Sequence, residues 1–192
     1  PIEAYAINPE IPLPDDIDLS MKMRPDLVEA GFELAAVGST RSFHVRNFKT
    51  NLNYQITATL QYIGETCEIW VENPSEITVS KATQLGQEFD NVIYPLVTEY
   101  FYTPSDVNGD GRVAILCFDI QDDFDNTGAY VGGYFSSGDL FNTSTSNKME
   151  IFYIDTYPTM RYPASNPVDV SRAYSTLVHE FQHMVNFNRN YF

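Results

Sequence analysis

The sequence has few basic residues and no long apolar run, and each shortage argues against a class of protein. Only 11 of its 192 residues are Lys or Arg, against 26 Asp or Glu, so the net charge is −15. Nucleic acid is not expected as a partner because no basic stripe exists to neutralise its phosphates, and an anionic membrane surface would repel the chain. No apolar run reaches the roughly eighteen residues that a membrane-spanning helix needs, so no such helix is predicted.

Cysteine is also scarce. Cys67 and Cys117 lie fifty residues apart, in apolar runs that predict strands, and their spacing is not that of a metal site. The sequence leaves two alternatives open, a pair of buried free thiols or a disulfide. The chain begins at Pro1 without an initiator Met or a signal-peptide pattern, which we interpret as the processed or trimmed N-terminus of an exported precursor.

The hydrophobic fraction of 43% and the aromatic fraction of 14% predict a packed globular protein, and the succession of strand and helix patterns along the chain predicts the α+β class. Prolines make residues 1–38 an extended N-terminal arm, with a short helix near Pro25–Ala30. β-branched and aromatic residues make residues 39–75 a small antiparallel β module. Its predicted strands are Ser42–Asn47, Tyr54–Tyr62 and Cys67–Glu72.

Residues 76–192 alternate between helical and strand patterns. A helix capped by Thr78 or Ser80 should kink at Pro95. Val113–Ile120 is apolar throughout, which indicates a strand buried on both faces. Further predicted segments are a loop over 121–148, a strand at Met149–Asp155, and a final helix that begins near Asn166 or Asp169 with Val170, Ala173, Leu177, Phe181, Met184 and Val185 as its apolar stripe.

The most informative motif lies in that final helix, where His179-Glu180-Phe181-Gln182-His183 reads H-E-x-x-H. Two His four residues apart project from one face of a helix, so both imidazoles can reach one zinc ion. Glu180 then lies beside the ion and can act as the general base that takes a proton from water. The pattern predicts a zinc-dependent hydrolase that cleaves peptide bonds.

A zinc site of this type needs a third protein ligand, and the sequence after His183 does not supply one. Residues 184–192 contain no His, Asp, Glu or Cys, and Arg189 occupies the position of the third His in the extended signature. The ligand is therefore expected either upstream or beyond Phe192. We favour the second, on a separate C-terminal polypeptide or in sequence removed by cleavage or truncation.

The string around the motif, residues 174–187, resembles the hyicolysin family of secreted bacterial neutral metallopeptidases. The resemblance extends over roughly residues 40–192, and the H-E-x-x-H helix is its most specific part. Three other stretches carry it: Cys67–Val71, Phe89–Pro95 and Asp106–Val113.

The resemblance implies a zincin fold, in which a mixed twisted sheet packs on the active-site helix. By position, it makes His179 and His183 the zinc ligands and Glu180 the catalytic base. Residues 76–192 would then be the upper subdomain of the catalytic domain. The lower subdomain, with a Glu as the third ligand, would be absent from this chain. The resemblance also implies secretion and peptide or protein substrates.

A second candidate metal site lies upstream of the motif. Asp106, Asn108 and Asp110 alternate as in the first half of a calcium loop, with Gly at the sixth position. Cys117 occupies the twelfth position, where such loops carry a bidentate Glu, so Asp122, Asp123 or Asp125 would have to complete the site. The alternative is a turn rich in Asp, Asn and Gly before a strand.

Two segments are candidates for the rim of the cleft. The glycines of Gly132–Asp139 would let a substrate backbone approach closely, although a plain connection is equally compatible with them. Met149–Asp155 is our candidate for an edge strand that pairs with the substrate. His44, alone in a strand pattern, is interpreted as a structural or surface residue.

Two other functions remain open from the sequence. The chain could be a non-catalytic binding element or pro-form that keeps the motif without a complete zinc site, or a zinc hydrolase that acts on another bond. Zinc retention and peptide cleavage separate the first from an endopeptidase, and substrate profiling separates the second. A serine or cysteine nucleophile mechanism is not supported, since no nucleophile elbow is present.

Overall fold

The computed structural model describes residues 4–9, 11 and 35–191, which form an α+β structure. Its strands are β1 (Tyr5–Ile7), β2 (Thr40–Asn47), β3 (Leu52–Ile63), β4 (Cys67–Glu72), β5 (Val113–Phe118), β6 (Ala129–Val131), β7 (Gly133–Phe135) and β8 (Ile151–Asp155). Its α-helices are α1 (Val79–Glu88), α2 (Tyr94–Tyr100), the single turn α3 (Phe124–Thr127) and α4 (Tyr174–Tyr191).

Six strands form one mixed, curled sheet in the order β2-β3-β4-β5-β8-β7. Strands β4, β5 and β8 are parallel, and the outer pairs are antiparallel. The antiparallel strands predicted over residues 39–75 are confirmed, but their sheet continues into β5. That module is therefore one half of a larger sheet and does not form a sheet of its own.

The arm predicted for residues 1–38 is described only in part. Its strand β1 pairs in parallel with β6 and forms a second, two-stranded sheet. Residues 12–34, with the helix predicted at Pro25–Ala30, lie outside the described residues.

Strand β5 runs through the centre of the main sheet and is buried on both faces, as predicted. Successive side chains of a strand point to opposite faces, so they enter two different hydrophobic cores. One core receives Val113, Ile115 and Cys117, and the other receives Ala114, Leu116 and Phe118.

The helices α1, α2 and α4 cover the first of these two faces. An aromatic cluster holds α4 there: the ring of Phe181 lies 4.9 Å from that of Phe89 and 5.4 Å from that of Tyr94. Burying a side chain such as Phe181 stabilises the fold by about 1.5–3 kcal/mol. The motif-bearing helix is thus fixed to the sheet by its apolar side.

The helix predicted to kink at Pro95 is interrupted by a π-helical segment, Phe89–Ile93, between α1 and α2. The side chain of Thr78 caps α1, as predicted, by accepting from the amide of Lys81. Pro95 stands in the first turn of α2, directly after the π-helical segment, at a helix position where proline is common.

The long loop predicted over residues 121–148 is wrong in detail. It contains α3, β6, β7 and the 3₁₀ turn Ser137–Leu140. Each of these elements has only three or four residues, which is too few for a periodic pattern to appear in the sequence. Asp123 enters α3 with a left-handed backbone, φ 69°, and Gly128 ends it at φ 76°.

Cys67 and Cys117 are free thiols, so the first of the two alternatives for them is confirmed. Both side chains are fully buried, and burial raises the pKa of each. In the described part of the chain, every helix is too short or too polar to cross a membrane.

Candidate metal centre

The final helix is built so that its apolar stripe is buried while its two histidines face out. Asp169 starts the segment by accepting from the amide of Ser171, and the 3₁₀ turn Val170–Ala173 leads directly into α4. All six residues of the predicted stripe are buried. His179 and His183 lie beside them on the exposed surface.

The two imidazoles converge. Their Nε2 atoms lie 3.1 Å apart, and their rings are perpendicular with centroids 4.6 Å apart. A tetrahedral ion bonded to both nitrogens at 2.0–2.1 Å would set them about 3.3 Å apart, so the pair already has the separation of two ligands of one zinc. Partial burial, followed by the proximity of His179, lowers the pKa of His183, which favours the neutral imidazole that a metal requires.

Glu180 lies on the same helix but points inward, with only 3% of its surface exposed. Burial raises the pKa of its carboxyl group to about 7, and the nearby backbone N–H of Phe135 partly offsets that effect. A carboxyl group with a pKa near neutrality can both accept and return a proton at neutral pH. It therefore has the acid–base property that a hydrolytic site needs.

Strand β7 makes this arrangement possible because it packs against α4 without a side chain at Gly133. A Cβ there would lie 2.7 Å from Cγ2 of Thr176 and 2.7 Å from the carbonyl oxygen of Tyr153, and 3.2 Å from Cγ of Glu180. Such distances are shorter than a van der Waals contact. Glycine thus lets the strand pack directly against Glu180 and its helix.

Two open cavities flank the motif. One, of about 320 Å³, is lined by Gly132 and Gly133 together with His179 and Glu180. The other, of about 520 Å³, is lined by Phe135, Glu180 and His183 among others. Members of the Gly132–Asp139 segment thus line both cavities, where a segment at the rim of a cleft would lie.

The edge strand was predicted wrongly. Strand β8, which covers most of Met149–Asp155, has both edges occupied, by β5 and by β7. The terminal strand of the sheet on this side is β7, inside the segment that was predicted to be a loop. The amide of Phe135 is the group that sequence reasoning missed, and the paired glycines before it are the only signal that pointed there.

The calcium prediction finds no support in the structure. Asp106 accepts from the amide of Gly111 at 3.1 Å, and Asp110 accepts from the amide of Arg112 at 2.7 Å. The side-chain amide of Asn108 donates to Asp110 at 2.6 Å. The polar side chains of this loop thus bind the loop itself, as in a turn rich in Asp, Asn and Gly.

Two of the three aspartates proposed to complete that site are engaged elsewhere. Asp122 accepts from the amides of Phe124 and Val131, and Asp123 forms an ion pair with Lys49 at 2.7 Å. Among residues 4–9, 11 and 35–191, no three His, Cys, Asp or Glu side chains gather as metal donors. His179 and His183 consequently have no third protein ligand within that part of the chain.

Comparison with known proteins agrees with the class of protein that this helix indicates. The chain is similar to a metallopeptidase: it is 48% identical over 153 residues, which are 80% of its length. That relative is the neutral metalloprotease ShpI of Staphylococcus hyicus, and the matched part is 34% of its sequence. The chain thus spans about a third of the relative's length. No protein-family model matches the chain. The similarity supports a metallopeptidase family.

Proposed function

We propose that this chain carries the zinc-binding helix of a secreted endopeptidase of the hyicolysin type, with a zincin fold. The observation that carries the proposal is the convergence of the two Nε2 atoms, 3.1 Å apart, beside the buried carboxyl group of Glu180. The similarity to a neutral metalloprotease over 80% of the chain supports the same conclusion. Secretion is part of the proposal because the family resemblance implies it.

His179 and His183 would hold the metal, and the donor set of two imidazoles suits zinc. When bound, zinc supplies Lewis acidity, which makes water a nucleophile at neutral pH. The third ligand, a Glu in the resembled family, would come from a part of the protein outside the described residues. Calcium is left out of the proposal, since the side chains of the Asp106–Arg112 loop bind the loop itself.

The residues of this chain would do the proton chemistry. Glu180 accepts the proton that the attacking water loses, and returns it to the nitrogen of the leaving amine. The nearby Phe135 amide favours the charged carboxylate, and burial keeps its pKa close to the working pH. A peptide bond placed in the adjoining cavities would lie next to Glu180.

The described residues supply two metal donors and not a third, so the proposal also includes a partner. Residues 76–192 would form the upper subdomain, and a second polypeptide or segment would supply the lower subdomain and close the cleft. A second candidate function, a non-catalytic binding form that keeps the motif, is favoured by one observation only. In the described residues the site has two donors and not three.

Native mass spectrometry with metal analysis tests the proposal. The protein should be purified with every co-purifying polypeptide retained and then assayed for cleavage of an unstructured protein substrate. We expect one zinc per assembly and cleavage that a zinc chelator abolishes. Zinc without cleavage of any peptide bond would favour a hydrolase of another bond, and metal-free, inactive protein would favour the binding form.

A further inference from the structure

The strand β1 lies across the candidate metal centre. It pairs with β6 in parallel, with Tyr5 opposite Ala129 and Ile7 opposite Val131. The amide of Tyr5 donates to the carbonyl oxygen of Gly128 at 2.9 Å. Strand β6 is followed, after a single residue, by β7, which packs on the motif helix. The arm is therefore anchored directly beside the site.

Residues of this arm line both cavities of the site. Ala6, Ile7 and Asn8 share the cavity of about 320 Å³ with His179 and Glu180. In the cavity of about 520 Å³, which Glu180 and His183 also line, the arm contributes Asn8, Pro9 and Ile11. One short extended segment thus borders the motif on both sides of Glu180.

Strand β1 is attached mainly through its backbone, whereas Ile11, farther along the arm, packs against the second hydrophobic core. Tyr5 is 55% exposed and Ile7 is 43% exposed, so these large side chains bury little apolar surface. Main-chain pairing with a sheet edge is also how an extended peptide binds when it adds a strand. Its hydrogen bonds do not depend on side-chain identity, so one peptide can replace another on the same edge.

We propose that the arm, described at residues 5–9 and at Ile11, forms an inhibitory strap, which occupies the groove along β6 that an extended peptide would enter. This inference rests on the proposed function for the identity of the groove. The strap and a substrate peptide compete for the same edge. The apparent affinity for the peptide therefore equals the intrinsic affinity multiplied by the fraction of molecules in which the strap is detached. Releasing the strap strengthens peptide binding, and fixing it in place weakens binding.

Two opposite changes in the full chain test the proposal, both in a Glu180→Gln background so that binding is measured without cleavage. Ile7→Pro removes an amide that should pair with β6, since donors alternate along a strand and Tyr5 is the preceding donor. Ile7→Val keeps the amide and is its matched control. Tyr5→Cys with Ala129→Cys joins two residues that lie in register, and oxidation of this pair locks the strap.

The probe is a fluorescein-labelled peptide with the sequence of residues 4–11, and its dissociation constant is read from fluorescence anisotropy. We expect Ile7→Pro to bind it about three- to tenfold more tightly than Ile7→Val does, which corresponds to one net hydrogen bond. The oxidised lock should bind at least about tenfold more weakly than its reduced form, because the fraction of open molecules limits binding. Single Tyr5→Cys, oxidised in the same way, controls for the treatment.

Equal affinity in the oxidised and the reduced lock would overturn the strap, and this comparison stands even if Ile7→Pro fails to fold. The parent chain with Glu180 intact, assayed for peptide cleavage, tests the proposed function separately. If oxidation of the cysteine pair weakens peptide binding but the parent chain cleaves no peptide, the proposed peptidase function is refuted and the inhibitory strap is supported. If the parent chain cleaves peptides but oxidation of the cysteine pair does not change peptide binding, the inhibitory strap is refuted and the peptidase function is supported.

Discussion

Two buried glutamates, Glu150 and Glu180, have similar acidity in different surroundings. Burial raises the pKa of each to about 7. Glu150 accepts from the hydroxyl of Ser105 at 2.6 Å and from the amide of Val107 at 2.8 Å, and so holds the Asp106–Arg112 loop against the sheet. Glu180 lies near the amide of Phe135, which lowers its pKa slightly, and beside two convergent imidazoles.

A shifted pKa therefore does not by itself mark a catalytic group. Both carboxyl groups would be selected by acidity alone. Only Glu180 adjoins open cavities and a pair of metal-type donors, whereas both hydrogen bonds described for Glu150 go to the chain segment that it holds. We therefore expect replacement of Glu180 to change catalysis, and replacement of Glu150 to change stability.

The largest effect is expected for Glu180→Gln, which keeps the shape of the side chain but removes the base. The turnover number should fall about 10²- to 10⁴-fold, as for loss of a general base. Zinc content, measured by mass spectrometry, should be unchanged because both histidines remain. Glu99→Gln, on the exposed face of α2, is the control and should keep full activity. A Glu180→Gln variant that retained the parental rate would remove the distinction between the two glutamates.

Gly133→Ala should be the next most severe change. The added Cβ would lie 2.7 Å from Thr176 and from the Tyr153 carbonyl, so β7 must move away from α4. Overpacking of this kind costs about 1–3 kcal/mol in the free energy of unfolding, measured in urea. At the neighbouring Gly132 the nearest atoms would be 3.5 Å away, so Gly132→Ala should be tolerated. Equal stability of the two variants would contradict the close packing of strand and helix.

Replacement of Glu150 should appear as a change in the pH dependence of stability. Its folded-state pKa of about 7 lies above the ordinary value of 4.5, so the folded chain binds the proton more tightly than the unfolded chain does. The stabilisation is complete below pH 4.5 and is lost as the pH rises through 7. Glu150→Gln, which resembles the protonated form, should therefore raise the free energy of unfolding at pH 8 by about 1–3 kcal/mol.

That gain should shrink at pH 4.5, where the parental Glu150 also carries its proton. The measurement is a pair of urea titrations at the two pH values, with Glu99→Gln as the exposed control. A Glu150→Gln variant destabilised equally at both values would mean that the carboxylate, and not the acid, is the form that holds the loop.

The smallest effect is expected inside the loop itself. Asp110→Ala removes the acceptor for the amide of Arg112 and for the side chain of Asn108, and should cost about 1 kcal/mol. Asp110→Asn keeps an acceptor oxygen and should cost less. Both variants should cleave peptides at the parental rate. Calcium that stabilised the parental chain but not Asp110→Asn would instead support a cation site in this loop.

Local sequence pattern predicted the parts of the structure that local forces determine. The H-E-x-x-H spacing, the buried stripe of α4 and the Thr78 cap all depend on residues within one or two helical turns. The burial of β5 on both faces could be predicted too, because an uninterrupted apolar run has no face to offer to water.

The parts that the sequence did not predict depend on contacts between distant residues. Pairing of β4 with β5, and of β8 with β7, is set by the whole sheet, so the edge strand was assigned wrongly. The approach of the Phe135 amide to Glu180 joins residues 45 positions apart in the sequence. The pairing of β1 with β6 spans more than a hundred residues, and its exposed side chains carry no periodic signal.

The two buried thiols also allow the opening of the central sheet to be measured by chemical modification. Cys67 and Cys117 lie at the centre of the sheet, fully buried and with raised pKa values. A thiol that is neutral and shielded from water does not react with an alkylating reagent until the surrounding strands separate. The rate of iodoacetamide incorporation therefore reports how often the central strands separate, and no probe has to be introduced into the chain.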